Sequence, residues 1–401
     1  MKILAIDDQQ LVLLSLKKGL TDIGYTVKVE SNPLKGIEAF DSFQPDLLIL
    51  DMNMPGLSGI EFVKYIRQKR NSKTPIMVLS GSTQDNMIRE SFDLGVNEYL
   101  KKPLSLTEIC IRIQKLIGLP NMQSSTDLKS NIIIQKRCVG VVIPCFNEEK
   151  RLKKTEFLRF LNKNSGYHLC FVNDGSTDAT FEVLTELRKG REGYISVFTC
   201  DKNLGKSAAV RLGMLHMAKF KGLDYIGFLD ADLSTDLLDF HHLVTTIENS
   251  NFKIVSGARI SRIGANISRR TSRKLVSFSV NLLIRSILSM GFKDTQCGAK
   301  IFHKDVIELL FRELFITKWL FDVELFMRMK KHFKLARAKK LICEKPLARW
   351  VHEDGSKLSI KDSLKVIYQL AQVFMHYNTT WKTLFNENVK QKNVTASQVT
   401  F

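Results

Sequence analysis

Short apolar runs recur along this chain, and most of them close on a carboxylate, a hydroxyl or an ammonium group. In the first 118 residues the runs are Ile3–Ile6, Thr26–Val29, Leu47–Leu50, Ile76–Leu79 and Glu98–Leu100. Amphipathic stretches follow each of them, at Leu11–Leu20, Pro33–Phe43, Gly59–Arg70, Gln84–Leu94 and Ser105–Ile117. Runs this short and this apolar suit strands buried on both faces, and their alternation with helical stretches predicts a doubly wound parallel α/β sheet. Ligands of such sheets bind beyond the carboxyl ends of the strands. Those ends carry Asp7 and Asp8, Asp51, Ser80, and Lys102 just ahead of Pro103. Three carboxylates, a hydroxyl and an ammonium group are what aspartyl-phosphate chemistry needs. Carboxylates and a main-chain carbonyl hold Mg²⁺, one aspartate attacks phosphorus, and the hydroxyl and ammonium meet the phosphoryl oxygens.

A second series starts at Cys138. Val139–Ile143 ends in Pro144-Cys145-Phe146-Asn147-Glu148, and Leu169–Val172 ends in Asn173-Asp174-Gly175. Ile195–Thr199 leads to Asn203-Leu204-Gly205-Lys206 opening a helix, and Tyr225–Leu229 ends in Asp230-Ala231-Asp232. A second doubly wound, Rossmann-like domain is predicted, with polar residues again at the strand ends. Two carboxylates spaced D-x-D after a strand suit a divalent cation that bridges a diphosphate and stabilises it as a leaving group.

The first series resembles the receiver domain of two-component response regulators, through LAIDDQ, LLILDMNMPGLSG, IMVLSGS and YLKKP. The resemblance implies a flavodoxin-like fold over residues 1–118 with Asp51 as phosphoacceptor. It implies Mg²⁺ held by Asp7, Asp8, Asp51 and the carbonyl of Asn53, with Ser80, Tyr99 and Lys102 as the switch residues. It also implies a sensor histidine kinase or phosphotransfer protein as partner, and a homodimer through the receiver is possible in this family.

The second series resembles family 2 glycosyltransferases of GT-A fold, through VVIPCFNEE, VNDGSTDAT, NLGKSAAVRLGM, FLDADLSTD, DTQCGAKIF and WLFDVELFMR. It is most similar to the branch that loads sugars onto polyprenyl or dolichyl phosphate, of the dolichyl-phosphate β-glucosyltransferase type. That resemblance covers residues 137–377, leaving 119–136 as a linker and 378–401 as a polar tail. It implies that Pro144, Asn147, Glu148, Asp174, Lys206, Asp230 and Gln296 bind the nucleotide sugar, of UDP-glucose or GDP-mannose type. Asp230 and Asp232 would hold Mg²⁺ or Mn²⁺, and Arg259, Arg270 and Arg273 the acceptor phosphate. Asp294, Asp322 and Glu324 would stand near the sugar.

Charge separates the two halves. Residues 1–120 carry a net +1 and residues 121–401 a net +18, of which +13 falls within 259–345. No aromatic interleaving or nucleic-acid-binding fold accompanies the cations, so no nucleic-acid partner is expected. The segments Leu275–Met290 and Leu364–Phe374 are amphipathic, and with the cations they suggest docking on an anionic membrane surface. No apolar run approaches the roughly 20 residues of a membrane span, and MKILAIDDQQ does not read as a signal peptide. Seven scattered cysteines without a C-x-x-C suit a reducing compartment. A cytoplasmic protein, peripheral on the inner membrane face, is the expectation.

The acceptor sets the chemistry. A hydroxyl acceptor needs a carboxylate base such as Asp322, whereas a lipid monophosphate is already anionic and attacks once cations position it. The resemblance implies direct displacement with inversion onto polyprenyl phosphate, under control of the receiver. Transfer to a hydroxyl of a polysaccharide or protein, or a non-catalytic signalling adaptor, are the alternatives.

Overall fold

The computed structural model describes residues 1–81, 84–120, 132–260, 266–267, 282–350 and 360–377. The first sheet contains β1 (Lys2–Ile6), β2 (Thr26–Glu30), β3 (Leu47–Asp51), β4 (Ile76–Ser80) and β5 (Glu98–Lys101), in the order β2-β1-β3-β4-β5. All pairings are parallel. The five residues of β3 and of β4 are buried throughout, which is why their sequences are apolar without alternation.

The intervening helices are α1 (Gln10–Asp22), α2 (Pro33–Phe43), α3 (Gly59–Lys64), α4 (Asp85–Asp93) and, after a short strand β6 (Leu104–Ser105), α5 (Leu106–Ile117). Local sequence sets their starts. Asn32 accepts from the amides of Leu34 and Lys35 ahead of Pro33, and Ser58 forms a capping box with Glu61. The stretch Gly59–Arg70 is not one α-helix: it widens to π geometry over Tyr65–Lys69. Within that widened turn Arg67 donates to the carbonyls of Ser72, Thr74 and Gly95.

Residues read as linker enter the fold at their far end. β7 (Ile133–Ile134) pairs antiparallel with β6, and the Leu106 amide donates to the Ile132 carbonyl. The second sheet then begins with β8 (Val139–Cys145), α6 (Lys154–Lys163), β9 (Tyr167–Asn173), α7 (Thr180–Arg188) and β10 (Ile195–Thr199). It continues with α8 (Lys206–Ala218), β11 (Tyr225–Leu229), α9 (Leu237–Glu248) and β12 (Ile254–Ala258). β14 (Ala299–His303), α10 (Ile307–Phe311), α11 (Phe321–Leu341), β15 (Ile342–Pro346) and α12 (Ile360–Tyr377) follow, while β13 (Asn266–Ile267) and β16 (Arg349–Trp350) form a separate two-stranded parallel sheet. The strand order is β10-β9-β8-β11-β14-β12-β15, parallel except for β14, which runs against both its neighbours. The fold is thus α/β with two doubly wound sheets, the first flavodoxin-like in strand order and the second mixed.

The two sheets are in contact. Leu14 of α1 packs on Gly193, Gln9 Nε2 donates to Asp224 Oδ2 at 2.9 Å, and the turn at Gly222 lies against the backbone of residues 8–10. The amphipathic stretch Leu364–Phe374 lies within α12, which buries Leu370 and Val373 in the core and leaves Ile367 and Tyr368 exposed. Of Leu275–Met290, residues 282–288 form a helix, and the part before 282 lies outside the described residues. Among the described residues no helix is long and apolar enough to cross a membrane.

Candidate functional sites at the ends of both sheets

At the carboxyl end of the first sheet, Lys102 lies between two carboxylates. Its Nζ is 2.5 Å from Asp7 Oδ2 and 2.9 Å from Asp51 Oδ1, and all three side chains are buried. Burial works against the Lys102 ammonium, but the two carboxylates outweigh it and hold its pKa above the ordinary lysine value. Burial raises the pKa of Asp7, with Asp51 adding to the rise and Lys102 opposing it. Asp8 is pushed up to about 6, first by burial and then by Asp7 and Asp51. A divalent cation would relieve the crowding of negative charge that raises Asp8, so Asp8, its neighbour Asp51 and the rim residue Asn53 fit Mg²⁺. Asn53 is held in place by its amide, which donates to Asp51 Oδ2 at 2.7 Å. Ser80 ends β4 with its side chain fully buried, and the buried Tyr99 hydroxyl has no hydrogen-bond partner among the described residues.

At the carboxyl end of the second sheet, Pro144, Glu148, Asp174, Lys206, Asp230 and Asp232 line one cavity of about 280 Å³. Strand ends and the turns that follow them deliver five of them, and α8 delivers Lys206 from its first turn. Asp174 Oδ1 and Oδ2 accept from the Leu204 and Gly205 amides, each at 2.9 Å, so this buried carboxylate fixes the loop that aims Lys206. The Lys206 ammonium reaches Asp230 Oδ1 at 2.5 Å. Asp232 Oδ1 accepts from the Ser234 amide at 2.8 Å and from its hydroxyl at 2.6 Å. Burial raises the pKa of Glu148, against the pull of Arg151 at 2.6 Å.

Other expected residues stand around this cavity rather than on it. Asn147 sits at φ 53° and its Oδ1 accepts from the Thr177 amide, bracing the neighbouring loop. Arg259 forms a two-pronged pair with Asp294, at 2.6 and 2.7 Å, and also donates to the Gln296 carbonyl. Its guanidinium stacks 5.3 Å from the Trp350 ring. Burial raises the Asp294 pKa, yet Arg259 prevails and keeps it below the usual carboxylate range. Asp322 pairs with Lys300 at 2.6 Å, both shut off from solvent, and its pKa is raised by that burial in spite of the lysine. Glu324 accepts from the Ile316 and Thr317 amides, fixing the loop before α11. Arg270 and Arg273 lie outside the described residues.

Two contributors carried no warning as site residues. Lys300, in mid-strand, supplies the buried cation for Asp322. Gly298 lies flush against Asp230, where a β-carbon would fall 1.9 Å from Oδ2. The only signal for either was their place within DTQCGAKIF. Among the described residues no three carboxylate, imidazole or thiolate groups are arranged to enclose an ion by themselves. Asp230 and Asp232 suit the case in which a diphosphate and water fill the remaining positions of a Mg²⁺ or Mn²⁺ ion.

A parallel sheet with a lysine-linked aspartate pair, and a mixed sheet with a D-x-D pair beside a loop-held lysine, define a receiver unit joined to a glycosyltransferase. The response regulator receiver domain model matches residues 3–114, and the glycosyl transferase family 2 model matches residues 140–311. A dolichyl-phosphate beta-glucosyltransferase of Trichomonas vaginalis is 32% identical over 254 residues, covering 60% of this chain and 73% of that protein. One from Dictyostelium discoideum is 28% identical over 255 residues, 60% of this chain and 74% of its own. Over the first unit, the Vibrio cholerae chemotaxis protein CheY4 is 29% identical, covering 29% of this chain and 97% of that one, with a TM-score of 0.28. The chain belongs to the family 2 glycosyltransferases and carries a response regulator receiver domain ahead of its transferase sheet.

Proposed function

We propose that the chain moves a hexose from a nucleoside diphosphate sugar to a polyprenyl, dolichyl-like phosphate at the cytoplasmic membrane face, and that the receiver governs this transfer. The observation that carries the reading is the cavity where Asp174, Lys206, Asp230 and Asp232 converge. Its carboxylates would hold a divalent cation, which when bound supplies positive charge to the departing nucleoside diphosphate. Lys206 opens α8, where the helix N-terminus adds partial positive charge for the same phosphates. Asp174 keeps that loop rigid, so the lysine is positioned before the donor arrives.

The phosphate acceptor is supported by the two relatives' names and by the rim of the site. Leu314, Ile316 and Trp319 are exposed on the loop whose Lys318 lies over Gly205, beside the cavity. An apolar lip next to a polar pocket suits a lipid phosphate, with the chain on the lip and the headgroup inside. Such a phosphate needs no general base, and Asp322, paired with Lys300, is poorly placed to be one. Displacement at the anomeric carbon inverts it: the phosphate oxygen forms the new bond as the bond to the nucleoside diphosphate breaks. Arg259, clamped by Asp294, would orient the acceptor, together with Arg270 and Arg273.

The test is transfer from a panel of radiolabelled nucleotide sugars to undecaprenyl phosphate, with Mg²⁺ or Mn²⁺. Lipid-extractable label from one donor, lost in Asp230→Ala, is expected. Donor hydrolysis without lipid label would move the acceptor to a hydroxyl. No turnover of any donor would leave a signalling adaptor.

A further inference from the structure

The phosphoacceptor pocket is not made by the receiver alone. A second cavity, of about 320 Å³, has Asp8, Gln9, Asp51, Asn53, Gly81 and Lys102 on one side and Lys136, Arg137 and Asp224 on the other. Asp224 precedes β11 of the transferase sheet. Its Oδ2 accepts from Gln9 Nε2 and from the Cys138 amide, each at 2.9 Å, and its Oδ1 meets Arg137 at 3.1 Å. The Lys136 stem lies along Gly81, next to Ser80: a β-carbon on Gly81 would come within 2.9 Å of Lys136 Cγ. Gln9 is more than nine-tenths buried, and its Oε1 has no hydrogen-bond partner among the described residues. A buried amide oxygen left without a donor is costly, and here it belongs to a residue lining a polar cavity.

We propose that Lys136 and Arg137 form the second half of a phosphoryl-binding site, so that a phosphoryl group on Asp51 is gripped by both domains at once. This rests on the reading of Asp51 as phosphoacceptor. In the unphosphorylated chain the guanidinium of Arg137 is paired with Asp224, in a contact whose arginine side is 46% exposed. Exposed pairs of that kind are weak, whereas an arginine binds a phosphoryl group through two charge-assisted hydrogen bonds. Phosphorylation therefore takes Arg137 from Asp224 and sets two anions, the phosphoryl group and Asp224, in one small cavity. The Gln9–Asp224 contact between the domains yields to that repulsion. The state of Asp51 is thus felt at the root of β11, the strand that leads into Asp230.

The experiment uses the full chain, Mg²⁺ and acetyl phosphate labelled on phosphorus. An Asp51 oxygen attacks phosphorus, the bond to the acetate oxygen breaks, and acetate leaves with the electron pair. The label stays on Asp51 as an acyl phosphate. The rate of labelling should fall about tenfold in Arg137→Ala and further in Lys136→Ala/Arg137→Ala, since each lost charge-assisted bond is a factor of that order. Arg137→Lys should recover most of the rate, and Asp224→Asn should exceed wild type by removing the competing anion. Raising salt should slow wild type more than the double variant. Equal rates and equal salt dependence across wild type, Arg137→Ala and the double variant would overturn the shared site while leaving Asp51 as phosphoacceptor. A wild-type chain that takes no label, or an Asp51→Asn chain that takes as much, would overturn both.

Discussion

Gly298 and Asp230 are in contact so close that no side chain fits between them: a β-carbon on Gly298 would lie 1.9 Å from Asp230 Oδ2. The Gly298 carbonyl meanwhile accepts from the Asp230 amide at 3.1 Å, tying the D-x-D turn to the start of β14. Gly298→Ala must therefore push the carboxylate out of its position beside Lys206. A displacement of that order at a reacting centre costs about 100-fold in rate. The expected result is a kcat reduced by roughly that factor with the circular dichroism spectrum of wild type. An unchanged kcat would show that Asp230 does not need its place.

Asp322 and Lys300 have a different status. Because both are buried, taking away the lysine leaves an uncompensated charge. Lys300→Met should lower unfolding stability by about 3–5 kcal/mol in urea titration. Lys300→Met/Asp322→Asn should recover most of it. If the double variant also retains lipid-phosphate transfer, Asp322 is a structural anion and not a base.

Asp174 offers a test that separates binding from chemistry. In Asp174→Asn one carboxylate oxygen becomes an NH₂ facing a backbone N–H of the 204–205 loop, donor against donor. The loop that aims Lys206 should loosen, raising KM for the nucleotide sugar by about tenfold with a smaller change in kcat. Steady-state kinetics against donor concentration decide this.

His168 gives the chain an acid-side weakness. It is 3% exposed, packed at a tilt against Phe220 and bonded to Ser196 and Gly193. Burial lowers its pKa to about 4, helped by the positive charge His216 would carry, and opposed by the Gly193 carbonyl. A folded pKa below the unfolded value of about 6.5 means the unfolded chain takes the proton first. Stability from this residue is then full above pH 6.5 and is lost as pH falls towards 4. The loss between pH 7.5 and pH 5 should be about 2 kcal/mol. His168→Gln, which keeps a polar side chain beside Ser196 but does not titrate, should remove that part of the pH dependence in urea unfolding.

Much of this was legible along the chain because strand ends announce themselves. An apolar run that stops on Asp7, Asp51, Asp174 or Asp230 places a carboxylate at the ligand edge of a parallel sheet by sequence alone. The starts of α2 and α3, at Pro33 and Gly59, fall where the amphipathic stretches begin. What was not legible depends on partners far away in sequence. Lys300 reads as a surface residue of an alternating strand until Asp322 comes to face it. Gly298 reads as a turn glycine until Asp230 fills the space where its side chain would be. The π turn at Tyr65–Lys69 carries Arg67, whose contacts reach as far as Gly95, and helical periodicity does not register them. Gln9 and Asp224 are 215 positions apart, and nothing in either neighbourhood points to the other.

β8 and β11 lie side by side in register, Tyr225 opposite Val139 and Phe228 opposite Val142. The roots of both strands stand on the receiver, and their tips line the cavity that holds Asp230 and Asp232, about 20 Å away at the usual rise per residue. The surface on which the receiver sits is thus the underside of the catalytic sheet itself. It follows that this receiver is not an interchangeable cassette. Fusing it ahead of another transferase at residue 136 would carry over Asp51, Lys102 and Lys136, but not Arg137, Asp224 or the turn at Gly222. Such a chimaera would have a receiver and an enzyme on one chain without the contacts that join them here.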